Sequence, residues 1–137
     1  MDRANMNCKQ RVNGSCDGRL EDLDKLWKAN CAGEEDVEDL GNIYDYGLSF
    51  DYVAPDTFDD QKEGYFRYQL SYGGPSDEFR FYCNCDGDFT PYKIEYWFMD
   101  WNDGASKDVT DNKLIGEIFD WFKDCGSCEV ELEKATA

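Results

Sequence analysis

Tyr65-Phe66-Arg67-Tyr68-Gln69-Leu70-Ser71-Tyr72 decides the fold. Large apolar side chains at Phe66, Tyr68, Leu70 and Tyr72 alternate with Arg67, Gln69 and Ser71, which is the period of a strand with one buried face. Gly73-Gly74-Pro75-Ser76 reads as a turn. The alternation resumes from Asp77 to Cys85, with Phe79, Phe81 and Cys83 on one side. Asp86-Gly87 is a hairpin dipeptide. Thr90 to Met99 then aligns Tyr92, Ile94, Tyr96 and Phe98. Upstream, Leu48, Phe50 and Tyr52 alternate with Ser49 and Asp51 in a strand stopped near Pro55. Ala54 to Gly64 is an acidic loop. Four strands with short connections predict an antiparallel meander.

Outside the meander the period becomes helical. Ser15 or Asp17 caps a helix to about Asn30, with Leu20, Leu23, Leu26 and Trp27 on one face and Gly33 beyond its end. Residues 1–14 are polar and read as a loosely held arm. A second helix is expected over Glu34 to Tyr46, burying Val37, Leu40, Ile43 and Tyr44. Asp100 to Asp108 reads as a polar loop. A third helix spans about Thr110 to Asp124, and Val130 and Leu132 alternate in a possible short last strand. The expected fold is one α+β domain over residues 1–137, a four-stranded antiparallel sheet with about three helices on one face.

The composition narrows the function. The chain has 31 Asp and Glu against 14 Lys and Arg, a net charge of −17, and no histidine. Four Trp, nine Tyr and nine Phe are too many for a disordered acidic tail. The charge argues against direct binding to nucleic acid or docking on an anionic membrane, and favours a basic protein partner. Without histidine there is no Ser-His-Asp or Cys-His machinery, and the sequence has no phosphate-binding glycine motif. The expectation is a protein that is not an enzyme and has no catalytic residues. Met1 to Leu20 holds no apolar run, which points to a cytoplasmic protein.

The charge is unevenly placed. Residues 1–33 hold six basic and five acidic side chains; residues 34–63 hold one basic and eleven acidic. The eleven are Glu34, Glu35, Asp36, Glu38, Asp39, Asp45, Asp51, Asp56, Asp59, Asp60 and Glu63, and they are the candidate partner-binding residues. On a helix, the first five would lie about 1.8 Å per charge, close to the ~1.7 Å of duplex DNA. Acidic residues in a first helical turn are also favoured by the helix dipole alone. The total charge exceeds what solubility requires.

Cys83-Asn84-Cys85 and Cys125-Gly126-Ser127-Cys128 form two close pairs. Cys83, Cys85, Cys125 and Cys128 could supply four thiolates to a zinc ion, or be ordinary buried thiols. No other cofactor is indicated. Tyr65 and Trp97 lie off the apolar faces, and either pack under flanking loops or serve as exposed anchors.

Tyr46 to Pro55, Gly64 to Tyr82 and Ile94 to Trp101 together resemble a group of small acidic proteins carried by plasmids, phages and other mobile elements. That group is associated with antirestriction and anti-CRISPR counter-defence. The similarity runs from about Tyr44 to Gly126. The resemblance implies no catalytic residues and does not account for the cysteine pairs. It implies a setting of counter-defence against restriction or CRISPR systems; taken with the charge, the expectation is a non-enzymatic inhibitor, a DNA mimic that occupies the nucleic-acid-binding site of a CRISPR surveillance complex or restriction enzyme in a bacterial cell. Two alternatives stand beside it: an immunity protein that neutralises a basic toxin or nuclease, and a zinc-stabilised regulatory or scaffold domain.

Overall fold

The computed structural model describes residues 7–34, 36–84, 88–100 and 103–136. Glu35 and Cys85 lie outside them. In chain order the elements are α1 (Cys8–Cys31), α2 (Ile43–Tyr46), β1 (Ser49–Val53), β2 (Tyr65–Ser71), β3 (Ser76–Cys83), β4 (Pro91–Asp100), β5 (Asp103–Asp108), α3 (Lys113–Asp124) and α4 (Ser127–Thr136). The five strands form one antiparallel sheet in the order β1-β2-β3-β4-β5.

The alternation carries β1 to β4. Phe66, Tyr68, Leu70, Phe79, Phe81, Ile94, Tyr96 and Phe98 are all buried, and they meet the helices. Phe119 of α3 stacks on Phe81 with ring centroids 4.5 Å apart and stands 6.0 Å from Phe66. Phe122 stacks on Phe50 at 4.1 Å. On the same face, a buried polar network pins α1. Asp77 accepts from Arg19 Nε at 2.7 Å and Nη2 at 3.0 Å, from Tyr96 Oη at 2.6 Å, and from Ser71 Oγ. Arg19 also reaches Tyr46 Oη, which in turn donates to Asp22.

Four expectations are corrected. Residues 8–14 are the first two turns of α1, not a loose arm. Asn7 caps them by accepting from Gln10 N at 2.9 Å, and the Gln10 side chain accepts from Asn7 N at 3.0 Å. The buried stripe there is Cys8, Val12 and Cys16 at four-residue spacing. The second helix shrinks to four residues. Val37 pairs with Gly41 in an isolated bridge, and the chain turns through Asp39 at φ 68° and Gly41 at φ 81°. Like charges four apart, Glu34 with Glu38 and Glu35 with Asp39, oppose a helix there. Asn42 then caps the short α2 by accepting from Asp45 N.

The expected loop from Asp100 to Asp108 contains β5, an edge strand of small and charged residues with no apolar alternation to announce it. Cys8 N donates to Asp103 at 2.8 Å and Arg11 pairs with Asp100 at 2.8 Å, so α1 docks on this hairpin. The expected last strand is helix α4. Cys128 and Leu132, four residues apart, turn to the core while Val130 is exposed.

Candidate functional site

The second face of the sheet carries a cleft of about 530 Å³, and no helix residue lines it. Arg67 and Arg80 line its floor, and they belong to a row of charges in register across five strands: Asp51, Arg67, Arg80, Glu95 and Asp108. Arg67 and Arg80 stand directly opposite each other, which by itself is destabilising. Each is therefore held by its own carboxylate. Arg67 donates Nε and Nη2 to Asp51 at 3.0 and 2.7 Å, and Arg80 donates Nε to Glu78 at 2.8 Å.

The Arg80 guanidinium carbon lies 4.2 Å from the Trp97 ring centre and 4.8 Å from that of Tyr65. Such cation–π contacts are worth about 0.5–2 kcal/mol each. Tyr65 is buried and Trp97 half-buried, so of the two readings these residues take packing: they enclose Arg80. Burial pushes the Tyr65 hydroxyl above its ordinary pKa of 10.0.

One wall of the cleft is the loop between β1 and β2. The Gln61 side chain organises it. Its Oε1 accepts from Thr57 N at 3.0 Å and Phe58 N at 3.1 Å, and its Nε2 donates to the carbonyls of Ala54 at 3.0 Å and Glu63 at 2.7 Å. Asp56 and Asp60 adopt positive φ of 64° and 58° within it. Gly64 closes the loop where a Cβ would run into the Tyr52 hydroxyl. Glu63 ties the loop to β4, accepting from Tyr92 Oη at 2.6 Å and Lys93 Nζ at 3.3 Å. The Tyr92 hydroxyl and then Lys93 hold its carboxyl below the ordinary 4.5. Phe58, Asp59 and Asp60 are left pointing outward, with Phe58 52% exposed.

The eleven candidate acids therefore do not form one helical strip. Asp51 is spent on Arg67, Glu63 on Tyr92 and Lys93, and Asp56 stands 3.7 Å from Lys62. Asp59 and Asp60 border the open-face cleft. Glu34 and Asp36 line a separate depression between α1 and α2. Asp45 is held in the α2 cap by Asn42. Among the described residues, Glu34, Asp36, Glu38, Asp39, Asp59 and Asp60 have neither an ion-pair partner nor a side-chain hydrogen bond, and Asp45 has only its bond from Asn42. Beside the first group lies an apolar groove of about 320 Å³ lined by Leu48, Phe50, Trp121 and Phe122. Tyr44, expected in a buried stripe, is 70% exposed there, with its ring 5.3 Å from Trp121.

Of the cysteines, Cys83 ends β3 half-buried, Cys125 is exposed at the end of α3, and Cys128 is buried. Among the described residues no three metal-ligating side chains converge. Cys16 is also buried, and burial pushes its thiol up to about 11. No helix among the described residues is long and apolar enough to cross a membrane.

The sequence reading missed Arg80, Glu78 and Gln61. The first two sit on the polar side of an alternating strand, where charged residues are ordinarily solvated, and the signal was that Tyr65, Tyr82 and Trp97 share that side. Gln61 carried no signal, because a loop glutamine becomes a staple only once the chain bends around it. No protein family, curated protein or solved structure matches this chain.

Proposed function

We propose that this protein is an acidic, non-enzymatic inhibitor that binds the nucleic-acid-binding surface of a basic partner and stands in for DNA. A CRISPR surveillance complex or a restriction enzyme is the partner class that the resemblance of its central segment suggests. The observation that supports the reading is the state of its carboxylates. Nine of the ten described acidic side chains between residues 34 and 63 are exposed. Seven of these have no ion-pair partner among the described residues, and one of the seven, Asp45, is hydrogen-bonded to Asn42. Exposed Tyr44, Leu48 and Phe58 stand among them. Carboxylates steer a basic partner at long range and apolar anchors slow its release.

The test starts with a pull-down from cells carrying active restriction or CRISPR systems. The captured partner is then titrated at about 0.05 and 0.3 M salt, with and without duplex DNA. Reversing Glu34, Asp36 and Glu38 together to Lys is expected to weaken binding at least about tenfold, since each exposed pair contributes roughly 0.2–1 kcal/mol and reversal adds repulsion. Asp39 is left alone because its positive φ, 68°, tolerates Asp better than Lys. Wild-type binding is expected to weaken with salt and to compete with DNA. A partner that holds DNA and this protein together, with no salt dependence, would sink the reading.

A further inference from the structure

We propose that the cleft on the helix-free face is an arginine-receiving site, in which a guanidinium of a basic protein segment enters against Phe58 and Tyr72 and pairs with Asp59 and Asp60. The proposal rests on the reading of a basic partner above, and adds which group of the partner enters and where.

Three observations carry it. The first is size: at about 530 Å³ the cleft falls in the range of small-ligand sites, roughly 300–1,000 Å³. The second is charge. Every cation that lines the cleft already has a carboxylate: Arg67 has Asp51, Arg80 has Glu78, and Lys62 has Asp56. The uncommitted charges are Asp59 and Asp60. An anionic ligand would meet those two and, among the described residues, no free cation in the lining. The third is the rim. Phe58 and Tyr72 line the same cleft and are 52% and 82% exposed. A planar guanidinium suits ring faces and carboxylates together, which a lysine ammonium does less well.

The protein already satisfies one guanidinium this way. Arg80, between Trp97 and Tyr65 with Glu78 beside it, is an internal counterpart of the proposed contact. The receiving wall is also formed in advance. Gln61 holds the backbone of Thr57 and Phe58, so little ordering is left to be done on binding.

The experiment uses the full chain and a blocked pentapeptide bearing two arginines. A peptide with citrulline in their place is the neutral control of the same shape. Affinity is read by calorimetry and location by backbone amide shifts. The arginine peptide is expected to bind, with shifts confined to residues 58–63 and 72, and the citrulline peptide to bind at least about tenfold more weakly. Asp59→Asn with Asp60→Asn is expected to cost at least about tenfold in affinity, and Phe58→Ala several-fold. Glu129→Gln with Glu133→Gln removes the same charge from exposed positions on α4 and is expected to cost less than about twofold. All these positions are exposed, and thermal melts check that each variant folds. Equal losses from the two double variants, shifts spread over the acidic surface, or equal binding of the citrulline peptide would overturn the proposal. No nucleic acid is present, so failure of DNA to compete in the earlier titration overturns DNA mimicry alone, and failure here overturns the cleft alone.

Discussion

Asp77 and Glu78 are consecutive in β3, almost equally buried at 2% and 3% exposure, and serve opposite faces of one sheet. Asp77 faces the helices. It accepts four hydrogen bonds, from α1, β4 and the end of β2, and so fixes a 24-residue helix to the sheet. Glu78 faces the cleft and takes Arg80, two residues along its own strand. One buried carboxylate joins distant elements; the other holds an arginine between two rings and shapes a surface. The same chemistry fastens the fold on one side and prepares a floor on the other.

The comparison breaks if the two acids matter equally to stability. Asp77→Asn keeps the volume but leaves Arg19 without its charge partner and aims an amide at donors. It is expected to destabilise by about 3–5 kcal/mol in chemical denaturation, with hydrogen-exchange protection lost first in α1.

Glu78→Gln removes one charge from a local pair, and Arg80 keeps its contacts with Trp97 and Tyr65. A loss of about 1–2 kcal/mol is expected, with a change in Trp97 fluorescence and α1 protection unaltered. A loss as large as that for Asp77→Asn would show that the cleft floor also holds the fold together.

The smallest effect sharpens the open-face side. Glu63 has a folded pKa below the ordinary 4.5, first because the Tyr92 hydroxyl donates to it and then because of Lys93. A depressed carboxylate contributes stability above the unfolded pKa and loses it as pH falls through the folded value. The tie between the loop and β4 is therefore expected to be complete above about pH 4.5 and to weaken below it. Tyr92→Phe is expected to raise the Glu63 pKa toward 4.5 in a side-chain NMR titration with little change in melting temperature. An unchanged Glu63 titration would mean that the hydroxyl does not hold the loop.

Legibility followed how local each cause is. β1 to β4 were readable because each strand carries its own period of two, and α3 because Ile115, Ile118, Phe119 and Phe122 repeat at helical spacing. The first turns of α1 went unread because their stripe is two cysteines and a valine among polar residues. The acidic run was legible as charge and misread as helix, since the dipole argument omits the repulsion between carboxylates four residues apart. The ambiguity of Val130 and Leu132 was real. A pair two apart fits a strand and a pair four apart fits a helix, and Cys128 with Leu132 decided for α4.

By itself, then, the sequence determined the antiparallel meander, the aromatic face that seats the helices, and an excess of carboxylate in residues 34–63. These follow from residue type and spacing along a few consecutive positions. Only the tertiary structure decided that β5 exists, that the acids divide between two places, and that Gln61, Arg80 and Trp97 build one cleft. A polar edge strand forms because β4 offers it a backbone ladder, a carboxylate is free or spent according to what stands across from it, and Arg80 is a clamp because β2 and β4 bring Tyr65 and Trp97 to either side. Those causes lie in neighbours far away in sequence, and the chain has them only once the sheet has closed.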